Sequence, residues 1–143
     1  FFIFNTCWVF GGGPEDKKFV AKIVRKARAG EELRVVDDLF GSPTYTVDLA
    51  RAIFDFIESG LFGTYHLVNP GVASRLDETR VILDAAGIRN SRLVPCRAAD
   101  FAMPAPRPRM EALDNYNFRL LGVPEPRPWQ EALEEYVRET FAG

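Results

Sequence analysis

Apolar strand-like runs alternate with amphipathic helical segments through the first 86 residues, and this alternation constrains the fold more than any other feature. "FFIFNTCWVF" (1–10) is rich in Phe, Ile and Val and reads as a strand buried on both faces, as in a parallel sheet. "GGGP" (11–14) ends it. Asp16 then caps a helix over 17–29, whose apolar stripe is Phe19, Val20, Ile23, Val24 and Ala27 and which Gly30 closes. "LRVVDD" (33–38) is a short strand. A turn at 40–45 leads to Thr46 as N-cap and Asp48 in the first turn of a second helix. Leu49, Ile53, Phe56 and Ile57 of that helix face the core, and Gly60 stops it. "GTYHLVN" (63–69) is a further strand, Pro70-Gly71 a turn, and Ser74 with Asp77 a capping box for a helix running to Ala86. Strand–helix–strand order implies parallel strands joined by right-handed crossovers.

Beyond residue 86 the chain turns irregular and helical. "RLVPCR" (92–97) is a weak edge strand, because Pro95 cannot donate to a ladder. The prolines of "MPAPRPR" (103–109) exclude regular structure. Asn115 caps a short helix ending at Gly122. Pro128 suits the first position of a last helix, with Trp129, Ala132, Leu133, Tyr136 and Val137 on one face.

Composition excludes several function classes. The 143 residues carry a formal charge of -2, so no basic excess marks a nucleic-acid surface. No apolar run approaches the roughly 18 residues of a membrane span. Cys7 and Cys96 lack metal-ligand spacing, and a reduced cytoplasmic compartment is the expectation. The chain opens in mid-strand without Met, so an N-terminus cut from something longer is expected. On that expectation Phe1, Phe2, Phe4 and Phe10 pack against upstream elements.

Catalytic signatures are sparse. Gly11-Gly12-Gly13 follows a strand and precedes a helix, but no glycine stands at 16, so G-x-G-x-x-G fails. No tyrosine is followed four positions later by lysine. His66, the single histidine, reads as a packed, hydrogen-bonded residue with no acid or nucleophile spaced around it. Two anion candidates remain: Lys17 and Lys18 at a helix start, and Arg107 with Arg109, held rigid by prolines.

"TCWVFG", "VVDDLFGSPTYTVDLARAI", "GTYHLVNPG", "APRP" followed by "LDN", and "RPWQEAL" occur in the order and spacing of the C-terminal half of dTDP-4-dehydrorhamnose reductase. The chain thus resembles this branch of the extended short-chain dehydrogenases over residues 1 to 140. The resemblance implies an α/β fold: the last parallel Rossmann-type strands with crossover helices, plus a small irregular and helical substrate lobe. It places the end of the Rossmann-like sheet and part of the lobe in 1–90, and the rest of the substrate-binding lobe in 91–143. The cofactor-binding half, with its glycine loop and Tyr-x-x-x-Lys pair, would lie upstream and hold NADPH. The implied partner is a dTDP-linked nucleotide sugar, with no nucleic acid or membrane and a homo-oligomer as one option.

The implied substrate-binding residues are Trp8, Asp38, Gly41, Pro43, Thr44 and Arg107; no catalytic or metal-binding residue is implied. Trp8 matches the family tryptophan beside the sugar, and the turn 40–45 shapes a pocket wall. Some positions depart from the family pattern. Leu39 replaces a glutamine, and Glu111 puts a carboxylate where it is expected to repel a diphosphate. Three readings stay open: part of a reductase of a dTDP-4-keto-deoxysugar, a non-catalytic regulatory relative, and an epimerase or reductase of another nucleotide sugar.

Overall fold

The computed structural model describes residues 1–101, 105 and 107–141. The opening apolar run is not one strand but two, β1 (Phe2–Asn5) and β2 (Val9–Phe10), broken at Trp8, whose backbone φ is +43°. Then follow α1 (Phe19–Arg28), β3 (Leu33–Val36), β4 (Phe40–Gly41), β5 (Thr44–Tyr45) and α2 (Thr46–Ile57). The second half contains β6 (Gly63–His66), β7 (Ala73–Ser74), α3 (Arg75–Ala85), β8 (Leu93–Cys96), a 3-10 turn (Ala98–Asp100), α4 (Tyr116–Leu120) and α5 (Trp129–Phe141).

Among the described residues the strands form four two-stranded ladders. β1–β6, β2–β5 and β3–β8 are parallel, as the alternation requires, whereas the short β4–β7 pair is antiparallel. Pro95 sits in β8, which among the described residues pairs only with β3. One edge of β8 therefore needs no N–H from it.

Two apolar clusters form. The larger gathers α1, α3 and α5 over β3, with Val24, Leu33, Ile82, Leu133 and Val137 buried. Its aromatic centre is Phe10, Tyr45 and Tyr136, with ring centroids 5.4 to 5.6 Å apart. The smaller packs Phe56 of α2 with Tyr65, Leu67 and Phe118, flanked by Phe2 and Phe4. Buried side-chain amides tie loops to these clusters. Asn115 Oδ1 accepts from Val68 N at 3.0 Å, and its Nδ2 donates to Val68 O at 2.8 Å. Asn69 Oδ1 accepts from Tyr45 N at 2.8 Å, and its Nδ2 donates to Asp48 Oδ2 at 2.8 Å and Arg127 O at 2.9 Å. Arg127 donates in turn to Asp48 and Glu135.

Several sequence expectations hold. The buried face of α1 includes Val20, Ile23, Val24 and Ala27, and Gly30 follows it at φ +71°. Ser74 and Asp77 form the capping box. Trp129, Ala132, Leu133, Tyr136 and Val137 of α5 are all buried.

Others need correction. Thr46 is the first residue of α2 rather than its cap; Tyr45 holds the cap position without a side-chain bond. Ile57 is 50 % exposed, because the last turn of α2 rotates it off the cluster that Phe56 enters. Asn115 precedes α4 but spends its amide on Val68 instead of capping. His66 is exposed rather than packed, since the β6 alternation that buries Tyr65 turns its neighbour outward. β1 is only half-buried and alternates, with Ile3 47 % exposed, and Phe1 just before it is 83 % exposed. Phe10 is buried against Tyr45 and Tyr136 of this chain. Met103, Pro104 and Pro106 of the proline-rich segment lie outside the described residues.

Candidate functional site

Trp8 is the one non-glycine residue with positive φ among the described residues. A left-handed backbone costs a bulky L-residue about 1–2 kcal/mol, so its surroundings must hold it there. Indole Nε1 donates to Glu111 Oε2 at 2.8 Å. The Arg75 guanidinium carbon lies 3.6 Å from the ring centroid, in cation–π contact. Gly41 lies so close to the ring that a Cβ there would come 2.3 Å from Cε2. The Trp8 carbonyl accepts from Thr44 N at 3.2 Å, which joins the break in the first run to the 40–45 turn.

Local sequence explains each partner's position. Arg75 is the first residue of α3, set by the Ser74 capping box. From there it also reaches the Phe19 ring, 4.6 Å from its centroid, and pairs with Glu78 Oε2 at 2.7 Å. Glu78 is 1 % exposed. Burial pushes its carboxyl up to about 7, outweighing the opposing pull of Arg75. Glu111 is aimed by backbone pairing: Phe40 N donates to Arg109 O at 2.9 Å and Glu111 N to Phe40 O at 2.8 Å. The carboxylate expected to repel a diphosphate is thus bonded to an indole N–H.

A cleft of ≈ 270 Å³ opens beside this group, lined by Trp8, Phe10, Lys18, Phe19, Arg75 and Glu78. The larger groove, ≈ 550 Å³, runs between α2 and residues 123–127 and contains none of the site residues expected from sequence.

Of those residues, the structure brings Trp8 and Gly41 into contact and ties Thr44 to them through its backbone. Thr44 is buried, and its hydroxyl donates to Ser42 O at 3.1 Å. Pro43 is buried beside it. Ser42 Oγ donates to Gly71 O at 3.2 Å and accepts from Leu113 N at 3.3 Å, so the turn is locked to two distant segments. Asp38 stands apart: its Oδ1 accepts from Ala98 N at 2.8 Å and holds the 3-10 turn. Arg107 is exposed. Lys18 lines the cleft, while its N–H donates to Asp16 Oδ1 at 2.9 Å, so a carboxylate already occupies that helix start. Sequence reading missed Arg75 and Glu78 as members of the group; no spacing signal links either to Trp8.

The glycine run does not fit a dinucleotide phosphate. Gly13 N donates to Tyr136 Oη at 3.0 Å, and a Cβ on Gly12 would come 2.4 Å from the Asp16 carboxylate. One donor is taken, and a negative charge lies where a phosphate would sit.

Residues 1–141 match the model of the RmlD substrate binding domain. A dTDP-4-dehydrorhamnose reductase of Mycobacterium tuberculosis is 38% identical over 122 residues, covering 85% of this chain and 40% of the relative. The spore coat polysaccharide biosynthesis protein SpsK of Bacillus subtilis is 35% identical over 121 residues, covering 85% and 41%. Among solved structures, the Bacillus anthracis dTDP-4-dehydrorhamnose reductase in complex with NADP superposes with TM-score 0.89 at 33% identity, covering 97% of this chain and 48% of that one. The Clostridium acetobutylicum enzyme gives 0.87 at 34%, covering 95% and 47%. The chain therefore spans less than half the length of these relatives. With parallel strands and crossover helices that superpose on such reductases, it belongs to the RmlD substrate binding domain family, within the extended short-chain dehydrogenases.

Proposed function

We propose that this chain forms the nucleotide-sugar-binding part of an NADPH-dependent reductase that acts on the 4-keto group of a dTDP-linked deoxysugar. The observation that carries this reading is Trp8, held in a costly backbone conformation by Glu111, Arg75 and Gly41 at the mouth of a cleft. A half-buried indole fixed this firmly between Arg75 and Gly41 is suited to set an edge beside a sugar and orient it. In this reading Gly41 and Pro43 shape the wall and Thr44 locks it. Asp38 holds the 3-10 turn through Ala98. Arg107 supplies the positive charge for the diphosphate.

The chain contributes binding rather than proton transfer, since it has no Tyr-x-x-x-Lys pair. NADPH belongs, in this proposal, to the part of the reductase outside these 143 residues, in keeping with the poor fit of the glycine run. The reaction is assigned to the cytoplasm; among the described residues no helix is long and apolar enough to cross a membrane.

Two measurements test the reading together. Calorimetry of the chain with dTDP is expected to give saturable binding. Incubation with NADPH and a dTDP-4-keto sugar is expected to leave the NADPH absorbance unchanged. Absent dTDP binding overturns the proposal, and turnover above background overturns the division of labour within it.

A further inference from the structure

Glu78 is the one acidic residue lining the cleft among the described residues, and it is 1 % exposed. Arg75 Nη1 donates to its Oε2 at 2.7 Å, the only ion pair Arg75 makes among the described residues. The same guanidinium lies 3.6 Å from the Trp8 ring centroid and 4.6 Å from that of Phe19. Whatever fixes the guanidinium therefore also fixes one face of an indole whose backbone sits at φ +43°. Stacking alone lets a planar cation slide over a ring. A hydrogen bond to a carboxylate, roughly twice as strong as one to a neutral acceptor, gives it a direction.

Few other charges compete for either partner. Lys18 lines the same cleft from ahead of α1, and Glu111 accepts from the indole Nε1. The Cys7 thiol feels Glu111, Arg75 and Glu78 together, and burial pushes it above its ordinary value. Asp77, on the same helix, is turned to the Ser74 cap. The elements packed on α3 bring apolar Val24, Leu33 and Leu133 into the shared core, with the Tyr136 hydroxyl bonded to Gly13. Burial, against the opposing pull of Arg75, pushes the Glu78 carboxyl up to about 7, so its charge changes near neutrality.

Resting on the nucleotide-sugar reading above for its part in binding, we infer that Glu78 is a positioning residue for Trp8: ionised, it holds the Arg75 guanidinium on the indole, and protonated, it loosens that hold. The neutral acid still offers an acceptor, but without charge, and Glu111 is then the remaining carboxylate that draws Arg75 across the same ring. The tighter grip is not the more stable fold. An ionised, buried Glu78 costs desolvation that the neutral acid does not, so the charge that seats Trp8 is held at the expense of stability.

The test follows the two indole N–H resonances, Trp8 and Trp129, of the nitrogen-15-labelled chain as pH rises through neutrality. The Trp8 resonance is expected to move in one step with its midpoint near 7. Glu78→Gln, of the same shape but without charge, and Arg75→Met, which cuts the link, are each expected to abolish the step. His66→Asn, at a residue that does not line the cleft, and Glu111→Gln are expected to keep it. An unmoved Trp129 resonance checks the fold in each variant. A step that survives in Glu78→Gln or Arg75→Met, or that vanishes in His66→Asn or Glu111→Gln, overturns the inference.

Calorimetry with dTDP-glucose, whose own charge is constant across neutrality, reads the consequence for binding. Wild type is expected to bind it about fivefold more tightly a unit and a half above the midpoint than the same distance below it, at the low end of coupling between two sites. Glu78→Gln is expected to lose that difference. Tighter binding on the acid side would mean that the ligand's charge meets Glu78 itself, and the same pH dependence in both proteins would mean that Glu78 takes no part; either result overturns the inference while the nucleotide-sugar reading stands. Failure of wild type to bind at any pH removes that reading alone, and the Trp8 titration then decides whether Glu78 positions the indole.

Discussion

Gly41 lies directly against the Trp8 indole, with room for a hydrogen but not for a methyl group: a Cβ would come within 2.8 Å of three ring carbons. Gly41→Ala must push the ring away from Glu111 and Arg75 or shift β4. Overpacking of this kind costs about 1–3 kcal/mol. A lower urea midpoint with a change in Trp8 emission is expected. Unchanged stability and emission would show that the indole has space to yield.

Glu78 makes stability depend on pH. Its folded carboxyl titrates near 7 against an ordinary value of 4.5, so the folded state holds the proton more tightly than the unfolded one. Its contribution is fully present below about 4.5 and is lost as pH rises through 7. The loss approaches about 3 kcal/mol, from 1.36 kcal/mol per unit. Urea midpoints between pH 4.5 and 8 are expected to fall more in wild type than in Glu78→Gln. Parallel curves for the two proteins would remove Glu78 as the cause.

Asn69 joins Tyr45 N, Asp48 and Arg127 O through one fully buried amide. Asn69→Ala leaves a backbone donor and acceptor without their partner and frees one side of the Asp48 carboxylate. Thermal or urea unfolding is expected to show a loss of about 2–4 kcal/mol, since each orphaned buried group costs about 1–3 kcal/mol. A loss well under 1 kcal/mol would mean water takes over the bonds.

Arg107 and Trp8 are assigned to different parts of the ligand, and their variants should separate. Arg107→Ala is expected to weaken dTDP binding by about 1.5–3 kcal/mol, the worth of a charge-assisted hydrogen bond. Trp8→Ala is expected to reduce the added affinity of a dTDP-sugar over dTDP and leave dTDP itself nearly unchanged. Calorimetry on both variants decides. Equal losses, or none for Arg107→Ala, would move the diphosphate to the cleft near Lys18.

Residues close along the chain made much of the architecture legible. The 3.6-residue stripe of Val20, Ile23, Val24 and Ala27 and the i,i+3 pair Ser74 and Asp77 are decided by neighbours. So is the face of α5 that includes Trp129, Ala132, Leu133, Tyr136 and Val137. The alternation of such segments requires parallel pairing, and three ladders show it. Resemblance also points to Trp8 and the 40–45 turn, which lie in contact through Gly41.

Tertiary structure decided the rest. Trp8 and Glu111 are 103 positions apart, and no local rule sets an indole N–H opposite that carboxylate; the pairing of 109–111 with Phe40 does. Arg75 begins a helix, yet its stacking on Trp8 and Phe19 depends on how α1 and α3 pack. The exposure of His66 and Ile57 likewise follows from which side of β6 and of α2 meets a partner. Periodicity reports that an element has two faces. Which face is covered, and which distant side chain covers it, is set by the path of the whole chain through long-range contacts that local spacing does not encode.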